Sequence, residues 1–103
     1  MWLAMTTFEV RWDEAAVEEL TALRPFDQQR ILDETDEQLG EQPNVATKPR
    51  KLLEVEPPWE QECPVWQLRV GDFRVFYDID NTNKEVIVRA VREKGNLTTE
   101  EIL

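Results

Sequence analysis

Two alternating segments, Val65–Val70 and 73–79, are separated by only Gly71 and Asp72. This two-residue spacer constrains the chain more than any other feature. A Gly-X loop between strand patterns predicts a hairpin with a type II′ turn. A turn of that length fixes the register of the two strands. Val70 then faces Phe73, Leu68 faces Val75 and Trp66 faces Tyr77, and these six side chains share one apolar face. The opposite face pairs Arg69 with Arg74 and Gln67 with Phe76.

The rest of the chain supplies what must cover the apolar face. Phe8, Val10 and Trp12 alternate with Thr7, Glu9 and Arg11, a half-buried strand by its period of two. Asp13 is placed to cap a helix, with Glu14 in its first turn. Ala16, Val17, Leu20 and Leu23 follow at helical spacing. Pro25 ends that helix and suits the first turn of the next, which carries Ile31, Leu32, Thr35 and Leu39 on one stripe. Gly40 is expected at the C′ position, and Pro43 stops the helix. The short connection makes the two helices an antiparallel hairpin. Leu52, Leu53 and Val55 suggest a short strand, and Pro57, Pro58 and Pro64 a loop around Trp59. Val86–Val91 is a further strand after an Asn-rich turn over 80–85. In the tail, Thr98 and Thr99 before Glu100 and Glu101 suggest a capped final turn of helix. The order β-α-α-(β)-β-β-β predicts an α+β fold, with the N-terminal strand and helical hairpin packed on a largely antiparallel twisted sheet.

With 103 residues, one domain is expected. We divide the chain into an N-terminal extension over 1–6, a domain over 7–95 and a C-terminal tail over 96–103. Met1 to Met5 is too short and lacks the basic flank for a signal peptide, and Met5 could serve as an alternative start. No stretch has the ~18 apolar residues of a membrane span, so no membrane partner is expected. Cys63 is the single cysteine and histidine is absent. An internal disulfide and a Cys/His zinc site are thereby excluded. A cytoplasmic setting follows, with Cys63 as a loop thiol. Asp78-Ile79-Asp80-Asn81-Thr82 briefly suggests a calcium loop, but its sixth position is not glycine and its twelfth is Arg89. It is read as a hairpin turn; no metal and no cofactor are expected.

Charge is unevenly placed. The net charge is −10, and residues 1–47 carry 11 acidic against 3 basic side chains, whereas 65–95 carry 6 basic against 5 acidic. The acid lies on the expected helices and the base on the expected sheet. Two arginines directly opposed on a ladder, Arg69 and Arg74, repel by several tenths of a kcal/mol or more. If Ile79 pairs with Val86, Arg89 falls opposite Phe76 and joins them, with Gln67 alongside. Arginines suit phosphate, and an adjacent aromatic suits base stacking. The plainer alternative is a solvated face over which the arginines snorkel. Lys48, Arg50 and Lys51 form a second, smaller basic cluster.

The run Trp66-Gln-Leu-Arg-Val-Gly-Asp-Phe-Arg-Val-Phe-Tyr-Asp-Ile-Asp80, followed by Val86-Ile-Val-Arg-Ala-Val-Arg92, resembles the core of the RelE/ParE toxin family. Upstream, the strand, the helix with Ala16 and Leu20, the helix with Arg30 and Ile31, Pro43 and Lys51-Leu52 fall in family order. The resemblance covers about residues 7–95. It implies a toxin of a type II toxin–antitoxin module, RelE-like, that cleaves mRNA on the ribosome and is held inactive by a cognate antitoxin. It implies catalysis by lysine, arginine and tyrosine, with the RNA 2′-hydroxyl as nucleophile. On this reading Arg74 stabilises the scissile phosphate, Arg69 assists and Lys94 stands nearest the family's arginine after the last strand. Gln67, Phe76, Arg89, Lys48, Arg50 and Lys51 would contact RNA. Val65 and Gln67 occupy the positions of two family lysines, and the family's C-terminal tyrosine has no counterpart. A positioned general base is worth ~10²–10⁴-fold, so two alternatives stay open: a ParE-type toxin that inhibits gyrase, or a member that only binds its antitoxin. Under each, the antitoxin is expected to lay a helix and an extended segment over the helices and sheet edge.

Overall fold

The computed structural model describes residues 7–40, 43–54, 57–59 and 65–103. The expected extension over 1–6, Val55, Cys63 and Pro64 lie outside the described residues. In chain order the elements are β1 (Glu9–Trp12), α1 (Glu14–Thr21), α2 (Pro25–Leu39), β2 (Arg50–Leu52), β3 (Val65–Val70), β4 (Phe73–Asp80), β5 (Glu85–Glu93) and α3 (Thr99–Ile102). They form one five-stranded sheet in the order β1-β5-β4-β3-β2. The β1–β5 pair is parallel and the others are antiparallel. This is the α+β architecture expected from the sequence.

The β3–β4 hairpin has the register that its two-residue loop dictates, from Val70↔Phe73 through Leu68↔Val75 to Trp66↔Tyr77. Gly71 takes a positive φ of 58° while Asp72 does not, the pattern of a type II′ turn. Leu68, Val70, Phe73, Val75 and Tyr77 are buried against Ala16, Leu20, Ile31 and Leu39 from the helices. Phe8 completes this core, with Val10 and Trp12 packed at its margin. Tyr77 is fully buried, and its hydroxyl donates to the Pro43 carbonyl at 2.8 Å.

Three local expectations change. Val17 is 41% exposed and so lies off the buried stripe of α1. Asp13 has the extended backbone of an N-cap but makes no capping bond; its carboxylate accepts from Arg89 instead. Gly40 keeps a right-handed φ of −72°, and its carbonyl accepts from the Phe8 N–H at 2.7 Å. That bond ties the end of α2 to the start of β1.

The second sheet face also carries a small apolar cluster. Val65, Phe76, Ala90 and Ile102 are buried together, with Leu53, Trp59 and Leu103 packed against them. Ile102 arrives on α3, whose start is a full capping box: the Glu101 N–H donates to Thr98 Oγ1, and the Thr98 N–H donates to Glu101 Oε1. The tail therefore folds back onto the sheet.

Candidate phosphate-binding face

The β4–β5 pairing decides which side chains meet. Ile79 pairs with Val86 as expected, but the register shifts between Phe76 and Tyr77. Tyr77 faces Val88 and Phe76 faces Ala90, so Arg89 is the extra residue of a β-bulge. Beyond the bulge, Arg74 faces Arg92. The expected placement of Arg89 opposite Phe76 is thereby corrected. The arginines that stand side by side across three strands are Arg69, Arg74 and Arg92.

Arg69 is exposed and Arg74 half-buried. Arg74 Nη1 donates to the carbonyls of Gly71 and Phe73, both at 2.9 Å, which holds the side chain along the turn. Burial, then the neighbouring Arg69 charge, lowers the Arg74 pKa, and Asp72 opposes the shift. A guanidinium still stays protonated near neutrality. The two cations that destabilise each other here would both be relieved by a bound anion.

Arg92 is anchored differently. Its Nε donates to the Ile102 carbonyl at 2.8 Å, and its guanidinium pairs with Glu19. Burial lowers its pKa. Glu19 also accepts from the Val91 N–H at 3.1 Å, closing the edge of β5 beyond the end of β1.

Arg89 is committed to the protein. Its Nε donates to Asp78 at 2.8 Å and its Nη1 to Asp13 at 3.3 Å. Burial works to lower the Arg89 pKa, but the two carboxylates outweigh it and the net shift is upward. Asp78 is pushed up by burial against the pull of Arg89. A cleft of about 340 Å³ beside this network is lined by Asp13, Glu18, Glu19, Trp59, Arg89 and Arg92.

The other expected site residues divide by strand parity. Phe76 is fully buried, with the Trp59 ring 6.1 Å away at 58°, so its faces are not open to solvent. Gln67 is also buried, and its Oε1 has no partner among the described residues. Arg50 pairs with Leu68 and so points to the core side. There it is 7% exposed, and its Nη1 donates to the Gln38 carbonyl in the last turn of α2. A cation at a helix C-terminus satisfies a free carbonyl and the dipole together, so Arg50 leaves the surface cluster. Lys51 has the opposite parity, is exposed, and sits beside Gln67. Lys48 is exposed on the preceding loop. The Lys94 N–H donates to the Asp72 carbonyl at 2.7 Å, which places Lys94 near the tip of the β3–β4 hairpin. Val65 is buried as well, and burial drives the Tyr77 hydroxyl pKa well above its usual range. None of the groups on this face is an evident general base.

Sequence reasoning missed Arg92. A signal was present, since Val91 breaks the alternation of Val86 and Val88. Ala90, being apolar too, hides that break.

The profile describing ParE toxins of type II toxin–antitoxin systems (parDE) matches residues 10–96. Among solved structures, the chain is similar to a chain of the RelBE2 toxin–antitoxin complex of Mycobacterium tuberculosis. The TM-score is 0.65 at 22% identity, over 82% of this chain and 95% of that one. It is similar to a chain of the archaeal RelE–RelB complex of Pyrococcus horikoshii, with TM-score 0.67 at 21% identity over 87% and 98%. It is also similar to a mutant of the Escherichia coli toxin RelE in the free state, with TM-score 0.62 at 20% identity over 94% and 99%. No curated protein sequence matches. Identities this low carry the fold alone.

Proposed function

The chain belongs to the ParE toxin family of type II toxin–antitoxin systems, within the RelE/ParE superfamily, and from that premise we propose that it acts on ribosome-bound mRNA by gripping a backbone phosphate. The observation that carries the proposal is the in-register row Arg69–Arg74–Arg92. Arg69 and Arg74, which have no ion pair among the described residues, suit a phosphate, whose oxygens accept paired N–H bonds from arginine forks, while Arg92 flanks them with its charge already met by Glu19. Arg74 is the central member, held by the turn carbonyls. It would meet the charge that grows on a phosphate attacked by the neighbouring 2′-hydroxyl. Fixed donors aimed at developing charge are worth roughly 10²–10³-fold each. Arg69 would share that load, and Lys94 would stand at the tip. Acid–base assistance from the protein is weak in this arrangement, because Val65 and Gln67 carry no titratable group and Tyr77 is buried.

The first two structural neighbours named above are toxin–antitoxin complexes. They support a cognate antitoxin as partner here. No helix among the described residues is long and apolar enough to cross a membrane, and we place the toxin in the cytoplasm.

The deciding experiment is cleavage of a programmed mRNA on purified ribosomes, with wild type and Arg74→Ala compared. Cuts made by the wild type and lost in the mutant support the proposal. Equal cutting by both removes Arg74 from the chemistry. No cutting by either rejects the nuclease reading.

A second reading is favoured by the same buried positions. A toxin without a general base can still inhibit gyrase. Trapped cleavage complexes of purified gyrase would support it, and unaffected supercoiling at saturating protein would reject it. Failure of both assays leaves a protein that only binds its antitoxin.

A further inference from the structure

The chain has eight arginines, and the partners of each sort them sharply. Arg11 pairs with Glu85, Arg24 with Asp27, Arg89 with Asp78 and Asp13, and Arg92 with Glu19. Arg50 is buried on the end of α2. The remaining three, Arg30, Arg69 and Arg74, have no ion pair among the described residues. Acidic side chains outnumber basic ones by 22 to 12, so an arginine placed without constraint would find a carboxylate nearby. All three unpaired arginines converge on the tip of the β3–β4 hairpin.

Arg69 and Arg74 reach the tip from the sheet. Arg30 reaches it from α2. A Cβ built on Gly71 would lie 2.8 Å from both Arg30 Nη1 and Nη2 and 3.0 Å from Cζ. The guanidinium therefore lies over the bare Cα of Gly71. The carbonyl of that same glycine accepts from Arg74 Nη1 at 2.9 Å. One residue thus separates two like-charged groups, and Arg30 is exposed on its outer side. Glycine is favoured here by its positive φ, and a Cβ at this position would displace the Arg30 guanidinium from where it lies.

We propose that Arg30 forms a second phosphate subsite at the hairpin tip, so that a single-stranded nucleic acid crosses the Gly71–Asp72 turn with one phosphate at Arg69 and Arg74 and a neighbouring one at Arg30. This rests on the phosphate-binding reading of the arginine row. The path runs over the end of the hairpin, because Phe76, further along the same face, is covered by Trp59 and Ile102. Asp72 is the one acidic side chain in the turn. It limits how tightly the strand can sit on that side.

The test is fluorescence anisotropy of a labelled single-stranded RNA with the full chain, titrated with salt. Each phosphate contact on a single strand contributes about 0.7 to the slope of log K against log salt. Arg30→Ala is expected to lower the slope by about that amount and to weaken binding roughly eightfold at about 50 mM salt. Arg24→Ala, the same charge change on an ion-paired arginine near the start of α2, is expected to leave both unchanged. Arg30→Lys should recover the slope, since a lysine still releases a counterion. Weakening in Arg74→Ala with none in Arg30→Ala overturns the second subsite and leaves the row intact. An absence of RNA binding by the wild type overturns both. Equal loss in Arg24→Ala reduces the effect to net charge and overturns the subsite. Displacement of the RNA by polyglutamate at matched charge would assign the tip to an acidic peptide and overturn the nucleic-acid assignment.

Discussion

The two faces of the sheet are made from the same strands and do opposite things with them. On the helix side, Leu68, Val70, Val75, Tyr77, Val86 and Val88 form one continuous buried surface under α1 and α2. On the other side, the apolar cluster of Phe76, Ala90 and Ile102 is small, and next to it three arginines stand in a row. The first face lowers the free energy of the fold by removing apolar surface from water. The second raises it locally by crowding like charges. A pairing that works against stability is a reason to look for an anion that reverses its sign.

That contrast can be broken or sharpened by substitution. The largest effect is expected from Leu68→Ala, which empties a fully buried position on the helix side and should cost about 3 kcal/mol in urea unfolding. A loss under about 1 kcal/mol would mean that the helices do not pack as described. Arg89→Ala comes next. It leaves Asp78, 5% exposed, without its partner. We expect a loss of about 2 kcal/mol, below the figure for a fully buried pair because the Arg89 side chain is 31% exposed. Little change would instead show that Asp78 takes up a proton when alone, which its raised pKa makes easier.

Tyr77→Phe should cost about 1 kcal/mol by leaving the Pro43 carbonyl without its donor. It also has a pH signature. Burial raises the Tyr77 pKa in the folded state above its unfolded value. Its contribution is therefore complete below the unfolded value near ~10 and is lost as pH rises further. The wild type should lose stability above about pH 10, and Tyr77→Phe should lose less of it there. Matching alkaline limbs would refute the buried hydroxyl.

The smallest and most discriminating effect has the opposite sign. Arg69→Glu places a carboxylate opposite Arg74 and should stabilise the fold by about 0.5 kcal/mol while abolishing RNA binding. A destabilised Arg69→Glu protein would contradict the picture of a face shaped by function at the expense of stability.

Most of the fold was legible because the informative elements were local. Gly71 and Asp72 set the β3–β4 register, Pro25 began α2, and the Thr98–Glu101 spacing marked the last turn of helix. The candidate site was legible only as far as that hairpin reached. Arg69 opposite Arg74 followed from it directly. Arg89 was misplaced because one extra residue in β5 changes the parity of everything beyond it, and Ala90 fits either parity. Arg50 was misassigned because a basic cluster in sequence takes no account of β2 parity, which sends Arg50 inward and Lys51 outward. Phe76 and Gln67 fell on the expected face, but both are buried there, and the cover over Phe76 comes from Trp59 and Ile102, distant from it in sequence.

By itself, then, the sequence determined the α+β class, the helix-covered core and the opposed pair of arginines, since turn length, periodicity and capping act over a few residues. Tertiary structure decided which cations are free. The bulge removed Arg89, the end of α2 took up Arg50, and α1 brought Glu19 to Arg92, whereas α2 carried Arg30 to the hairpin tip. Charge pairing depends on distances across the fold, and those distances are set only when the helices dock on the sheet.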